Sequence, residues 1–310
     1  SAAHRVVLIV TQTQVDSSRP DSATGIRYTT PAVFRMPVTV RVGTGAGKVT
    51  AHEWIDARTD TITVSGVTTA PTYVIFDDGN HILKKLTFDE PTAMLAAQLT
   101  HDPDLWDRQW VLGQLATRVT DADAAAAIAD AAEHADYPFT RVVAATTLGG
   151  FPVPAALPAL TAAARDTSAL VRAAAVATLG TLKDGGDAAL AAVRTAWSSD
   201  PSYDVRAAAV LALARLAPDQ RGATIRSALA TPSYRDVIAA AGLRSLFLGP
   251  VDSMTVAAVE AKLGDIQSAA FALGALAGQG NAFAKAALER HADDPRPWVR
   301  GWVKQAAARH

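Results

Sequence analysis

The sequence predicts a multidomain β + α protein: an N-terminal antiparallel β-sandwich over residues 1–88, then an α-α superhelical solenoid over residues 89–310. Three observations predict it. Short β-branched runs recur at roughly 10–12 residue spacing up to Phe88. At Asp89 the composition turns Ala- and Leu-rich. The string Val-Arg-Ala-Ala-Ala-Val occurs at 171–176 and again at 205–210, 34 residues later.

The first region reads as strands element by element. "HRVVLIVTQTQ" (4–14) opens it, and "FRMPVTVRV" (34–42) sets Val38, Val40 and Val42 against Thr39 and Arg41. "VTAHEWI" (49–55), "DTITVSG" (60–66), "TYVIFD" (72–77) and "ILKKLTF" (82–88) follow, separated by Gly, Asp and Pro clusters. Residues 15–32, rich in Ser, Asp, Thr and Pro, read as a long surface loop, and Asp78-Gly79-Asn80 as a hairpin turn. "DEPTAMLAAQL" then starts a helix, with acidic residues and Pro91 at its opening.

The helical part repeats. Arg108, Arg141, Arg172 and Arg206 stand 33, 31 and 34 residues apart, each followed seven residues later by a leucine (Leu115, Leu148, Leu179, Leu213). The series runs on near Ile238 and Gln267 and revives at Arg300, giving about seven helix pairs of period near 32. Each unit carries a second helix upstream, as in "GDAALAAVRTAW" (186–197), which Asp200-Pro201 ends. Such pairs bury their apolar faces only by stacking on neighbours. The pattern L-P-x-L … D … V-R-x-A-A-x-x-x-L-G resembles HEAT repeats over roughly 90–309.

Composition bounds the function. With 29 basic and 30 acidic side chains, the balance gives no basic stripe for nucleic acid. Residues 1–88 sum to +2 and the remainder to −3. No cysteine is present, which excludes disulfides, thiol catalysis and zinc fingers, and leaves the compartment undetermined. No run approaches a membrane span. The chain opens Ser-Ala-Ala without Met or signal-peptide pattern, so the expectation is a trimmed chain whose natural N-terminal part precedes residue 1.

A β region followed directly by such an array, with "VTQTQ", "FRMPVTVRV" and the junction "TYVIFDDGNHILKKLTFDEPTAMLAAQL", resembles the C-terminal half of the aminopeptidase N family of zinc metallopeptidases. The resemblance implies a wall over the active site of a catalytic domain absent from this chain, shaping peptide access. It implies that missing domain and a peptide or protein as partners, with zinc held there. That family's H-E-x-x-H and G-x-M-E-N motifs are absent, so no catalytic, cofactor-binding or metal residue carries over, and this chain is expected not to hydrolyse peptides. The alternative is a HEAT-type protein-interaction scaffold.

Local motifs add no chemistry. His52-Glu53 lies on a predicted strand, where helical metal-ligand spacing cannot arise. No two histidines stand three to five residues apart. "GTGAGK" (43–48) lacks the phosphate-loop spacing and reads as a hairpin, Asp77-Asp78-Asn80 lacks the ligands of a calcium loop, and no serine sits in G-x-S-x-G. Arg108, Arg141, Arg172, Arg206 and Arg300 form a ladder that could read a partner's or substrate's carboxylates. The structural reading outweighs it: each pairs with a turn aspartate, Asp104, Asp166 and Asp204 being candidates. Trp298 and Trp302 read as packing of the terminal helix.

Overall fold

Alternating β-branched residues put one row of side chains inward, and this builds the N-terminal strands in the computed structural model, which describes residues 4–308. β1 (Arg5–Thr11) pairs antiparallel with β6 (Thr59–Ser65), and β2 (Ser17–Pro20) with β3 (Arg27–Thr30). β4 (Met36–Thr44) lies between β5 (Gly47–Ile55) and β7 (Pro71–Phe76). Val38, Val40 and Val42 meet Leu8, Ile62, Val64 and Val74 in one apolar core. The result is a small β region of three short sheets.

Three expectations need correction. Residues 15–32 are not all loop: they hold the β2–β3 hairpin. Asp78-Gly79-Asn80 turns the chain without making a hairpin, and "ILKKLTF" (82–88) joins no sheet. The cause is the turn itself. Asp77 and Asn80 adopt φ of 60° and 53°, and the buried Asp77 carboxylate accepts from the His81 and Ile82 amides and from Lys84 Nζ at 2.6 Å. That knot swings the following segment off the β7 edge. Residues 82–88 keep a strict alternation of half-buried and exposed side chains, which is the periodicity that predicted a strand. They run along a groove of about 690 Å3 beside β1. "GTGAGK" is the β4–β5 hairpin, with Gly47 at φ 132°.

From Thr92 the described chain is helical: α1 (Thr92–His101), α2 (Leu105–Ala116), α3 (Ala122–His134), α4 (Pro138–Thr147), α5 (Val153–Ala163), α6 (Ala169–Leu179) and α7 (Gly186–Ser199). It continues through α8 (Tyr203–Leu216), α9 (Arg221–Ala230), α10 (Val237–Ser245), α11 (Ser253–Glu260), α12 (Gln267–Gly278), α13 (Ala282–Arg290) and α14 (Pro297–Ala308). A small N-terminal β region thus precedes a helical repeat array. By contacts the chain divides into two units, residues 1–127 and 128–310.

The even-numbered helices carry the repeated string. Within the second unit α4, α6, α8, α10, α12 and α14 each pack on the next. The leucine seven residues after each arginine is buried in all four units. The residue just before the arginine is buried too: Thr140, Val171, Val205 and Val299 are each 0% exposed. Small side chains set the approach distance. A Cβ on Gly180 would lie 2.5 Å from the Ala212 Cβ, so α6 and α8 meet there only because residue 180 is glycine.

Candidate functional site: the turn edge of the repeats

Each repeat turns at the N-terminal end of its second helix, and four such turns share one build. Asp102, Asp166, Asp200 and Asp294 each stand six residues before an anchor arginine. In each, the carboxylate accepts the amide of the residue two further on, at 2.7–3.0 Å. In three of them, and at the Ala135 turn, the arginine closes the turn from the other side. Arg108 donates to the Asp102 carbonyl, Arg141 to Ala135, Arg172 to Asp166 and Arg300 to Asp294, always the residue six positions upstream.

The rest of the guanidinium reaches the next turn. Arg141 Nε and Nη2 hold Asp166 at 2.7 and 3.0 Å. Arg172 holds Asp200 at the same two distances. These side chains are largely buried, so the pairs are two-pronged and dehydrated. Burial alone would raise the carboxyl pKa of Asp166 and Asp200; the arginine and amide hydrogen bonds outweigh it and hold both below the usual range.

Arg141 and Arg172 thus make forks to a turn aspartate, and the acids they take are partly different from those expected. Asp200, not Asp204, takes Arg172; Asp204 is an exposed first-turn residue of α8. Asp104 caps α2 through the Trp106 and Asp107 amides. Arg206 breaks the series because Thr231, which precedes Pro-Ser-Tyr as Asp200 does, stands where the next aspartate would be; the Arg206 Nε binds the Trp197 carbonyl at 3.1 Å and its guanidinium lies over the Trp197 ring. The D-x5-R spacing is visible in the sequence and would have selected Asp102, Asp200 and Asp294.

At the first repeat the same positions serve the β region. Asp102 faces Arg41 of β4, whose Nη1 lies 3.8 Å away, so a strand arginine takes the place of a preceding repeat's. Arg41 also pairs with Asp78. Asp107 occupies the core position that is threonine in α4 and valine in α6, α8 and α14, and Asn80 Nδ2 donates to it at 2.6 Å. Burial pushes Asp107 up to about 7 against that bond, with Asp102 and Asp104 adding to the rise. Glu90, 3% exposed, is likewise pushed to about 7 by burial, which the Val74 amide and Arg118 offset in part.

The turn edge also exposes large apolar side chains, interspersed with exposed acids such as Asp136, Asp204 and Asp236. Tyr137, Phe139, Leu170, Tyr203 and Tyr234 are 45, 53, 66, 43 and 74% exposed, all at the first turns of α4, α6 and α8 or just before α10. A shallow groove of about 350 Å3 between α5 and α7, floored by Ala164, Ala188 and Ala192, opens beside Arg172 and Asp200. Trp302 packs on the apolar core as expected, whereas Trp298 is half exposed, its indole N–H 3.3 Å from the Gly264 carbonyl.

This architecture is that of a helical-repeat protein, and the chain belongs to the HEAT-repeat family, whose model matches residues 92–180 and again 157–246. Among solved structures it is similar to human deoxyhypusine hydroxylase (21% identity, TM-score 0.39, covering 70% of this chain and 94% of that one). It is similar to the complex of CpcE and CpcF of phycocyanin lyase from Nostoc sp. PCC7120 (21%, 0.43, 73% and 98%). A designed armadillo repeat protein in complex with the peptide (KR)4 is a third (18%, 0.34, 69% and 97%). No curated protein matches the sequence. None of these findings links the chain to aminopeptidase N, and among the described residues no helix is long and apolar enough to cross a membrane.

Two outcomes test this chemistry. Asp200→Asn leaves the Arg172 fork without its charge and is expected to cost about 2–3 kcal/mol, below the 3–5 of a fully buried pair; Asp204→Asn should stay within about 0.5 kcal/mol. Urea unfolding of the two variants measures the contrast. Glu90 has a raised folded pKa, so its contribution is full below the unfolded value near 4.5 and is lost as pH rises towards about 7. Glu90→Gln should therefore gain on the native protein between pH 4.5 and 8, by on the order of 3 kcal/mol, in unfolding curves at the two pH values.

Proposed function

We propose that the chain is a protein-interaction scaffold that holds its partner along the turn edge of the repeats from α4 to α10. One observation carries the reading: Tyr137, Phe139, Leu170, Tyr203 and Tyr234 crowd the same corner of successive repeats and stay exposed there. A repeat protein hides its apolar residues between neighbours, so exposed ones gathered on one edge mark a surface kept for something else. Aromatic side chains bring large contact area at small entropic cost, as interface anchors do. The Arg–Asp pairs behind them fix the turns, so the edge is presented ready-made. In this reading the chain performs no chemical step and needs no cofactor of its own.

The small β region ahead of the array favours a second reading, the one the aminopeptidase N resemblance implies. There the β region is a sandwich, the partner is a zinc-bearing catalytic domain outside this chain, and the array walls its active site against large substrates. It rests on the junction motifs alone and is the weaker reading.

A photoreactive amino acid at Phe139 or Tyr234 is expected to crosslink one defined protein, and the same probe at Asp187 on α7 to give none. Combined Phe139→Ala, Leu170→Ala and Tyr234→Ala should weaken binding of that protein at least about tenfold with the melting temperature held; unchanged binding sinks the scaffold reading. With added zinc the chain should release no amino acid from a peptide substrate, and turnover would overturn its non-catalytic assignment.

A further inference from the structure

Arg300 repeats the geometry of the ladder with one half left over. Its Nη1 donates to the Asp294 carbonyl at 2.6 Å and the Pro295 carbonyl at 3.2 Å, as Arg172 Nη1 does to Asp166 and Thr167 at 2.9 and 3.2 Å. In Arg141 and Arg172 the remaining Nε and Nη2 grip the aspartate of the following turn. In Arg300 the same two nitrogens make no hydrogen bond or ion pair among the described residues. The fork is thus anchored by its third nitrogen in the orientation that binds a carboxylate twice elsewhere in this chain.

Its surroundings suit the same ligand. Lys304 lies one turn further along α14 and is exposed, and so is Trp298, two residues before the arginine. The buried acid of its own turn, Asp294, is already taken by Arg296 and by His291 Nδ1 at 2.6 Å. The opposite end of the ladder offers no match for head-to-tail stacking of two copies: Asp102 is fully buried and faces Arg41.

We propose that Arg300, with Lys304 and Trp298 beside it, is a carboxylate-binding site that receives an aspartate side chain from a partner protein docking on α14. The inference rests on the scaffold reading and names the chemistry of one contact. The carboxylate completes the ladder as Asp166 and Asp200 complete it within the chain. Lysine cannot serve in its place, because a single ammonium does not present the planar pair of donors.

The test is a titration of the full chain, followed through the arginine Nε–H resonances in NMR spectra and assigned by Arg300→Lys. Acetate is expected to shift the Arg300 signal saturably and leave Arg141 and Arg172 in place, and acetamide to shift none. A synthetic peptide of residues 164–172, blocked at both ends, should bind at least about tenfold more tightly than its Asp→Asn version and lose that margin on Arg300→Lys. The Asp→Asn peptide with a free C-terminal carboxylate separates the two sources of the group, and equal binding by it would overturn the assignment to an aspartate side chain. An Arg300 signal that stays still, or moves no more than that of exposed Arg235, overturns the site. Concentration-dependent dimerisation in sedimentation, abolished by Arg300→Lys, would overturn the assignment to a foreign partner. If Arg300→Lys lowers stability, the wild-type titration still decides. Loss of the crosslinked partner on substituting Phe139, Leu170 and Tyr234, with an unmoved Arg300 signal, would sink this proposal and leave the scaffold standing.

Discussion

The arrangement of the repeats depends on a single side chain doing two things at once. An arginine at the fourth position of α4, α6 and α14 gives one nitrogen to a carbonyl six residues upstream, which closes its own turn. In Arg141 and Arg172 the other two go to the aspartate of the next turn, which fixes the distance between repeats. Apolar stacking along α4, α6 and α8 supplies most of the attraction, but it is non-directional and would tolerate sliding. The Arg141–Asp166 and Arg172–Asp200 forks tolerate little, because two parallel hydrogen bonds fail together when the angle changes. Dehydration would make such pairs costly if any nitrogen or oxygen were left over. Here the aspartate also accepts a turn amide, and the third arginine nitrogen has its carbonyl.

Where the ladder is interrupted, the substitute shows which half of the interaction each residue serves. Thr231 in place of aspartate leaves Arg206 to a carbonyl and an indole face. At Asp294 no arginine precedes, and Arg296 from the same turn takes the carboxylate. At the first repeat a strand arginine, Arg41, comes to Asp102, and Asp107 replaces the usual core valine to receive Asn80. The first repeat thus exchanges apolar burial for polar contact where a β strand, not a helix, is its neighbour. The raised carboxyl pKa values of Asp107 and Glu90 are the cost of that exchange.

Function follows from what the ladder leaves uncovered. Fixing the turns from behind frees their outer side chains from packing, and among those between residues 137 and 234 are five large, exposed aromatic or aliphatic ones. The edge offers area, shape and, at Arg300, an unfilled charge.

The sequence by itself determined the switch from strands to helices near Asp89, the period near 32, the anchor arginines and the leucines that follow them. All of these are local or periodic, and periodicity survives without knowledge of what packs against what. It did not determine that residues 82–88, with the alternation of a strand, would join no sheet, because pairing depends on the knot around Asp77 that turns them away. Nor did it separate Asp200 from Asp204: both stand near an arginine in the chain, and only the stacking of one repeat on the next brings Asp200 to Arg172. The exposed corner residues were hidden for the same reason. Helical spacing says that Leu170 and Val171 face different ways, but the next repeat decides that Val171 is covered and Leu170 is not.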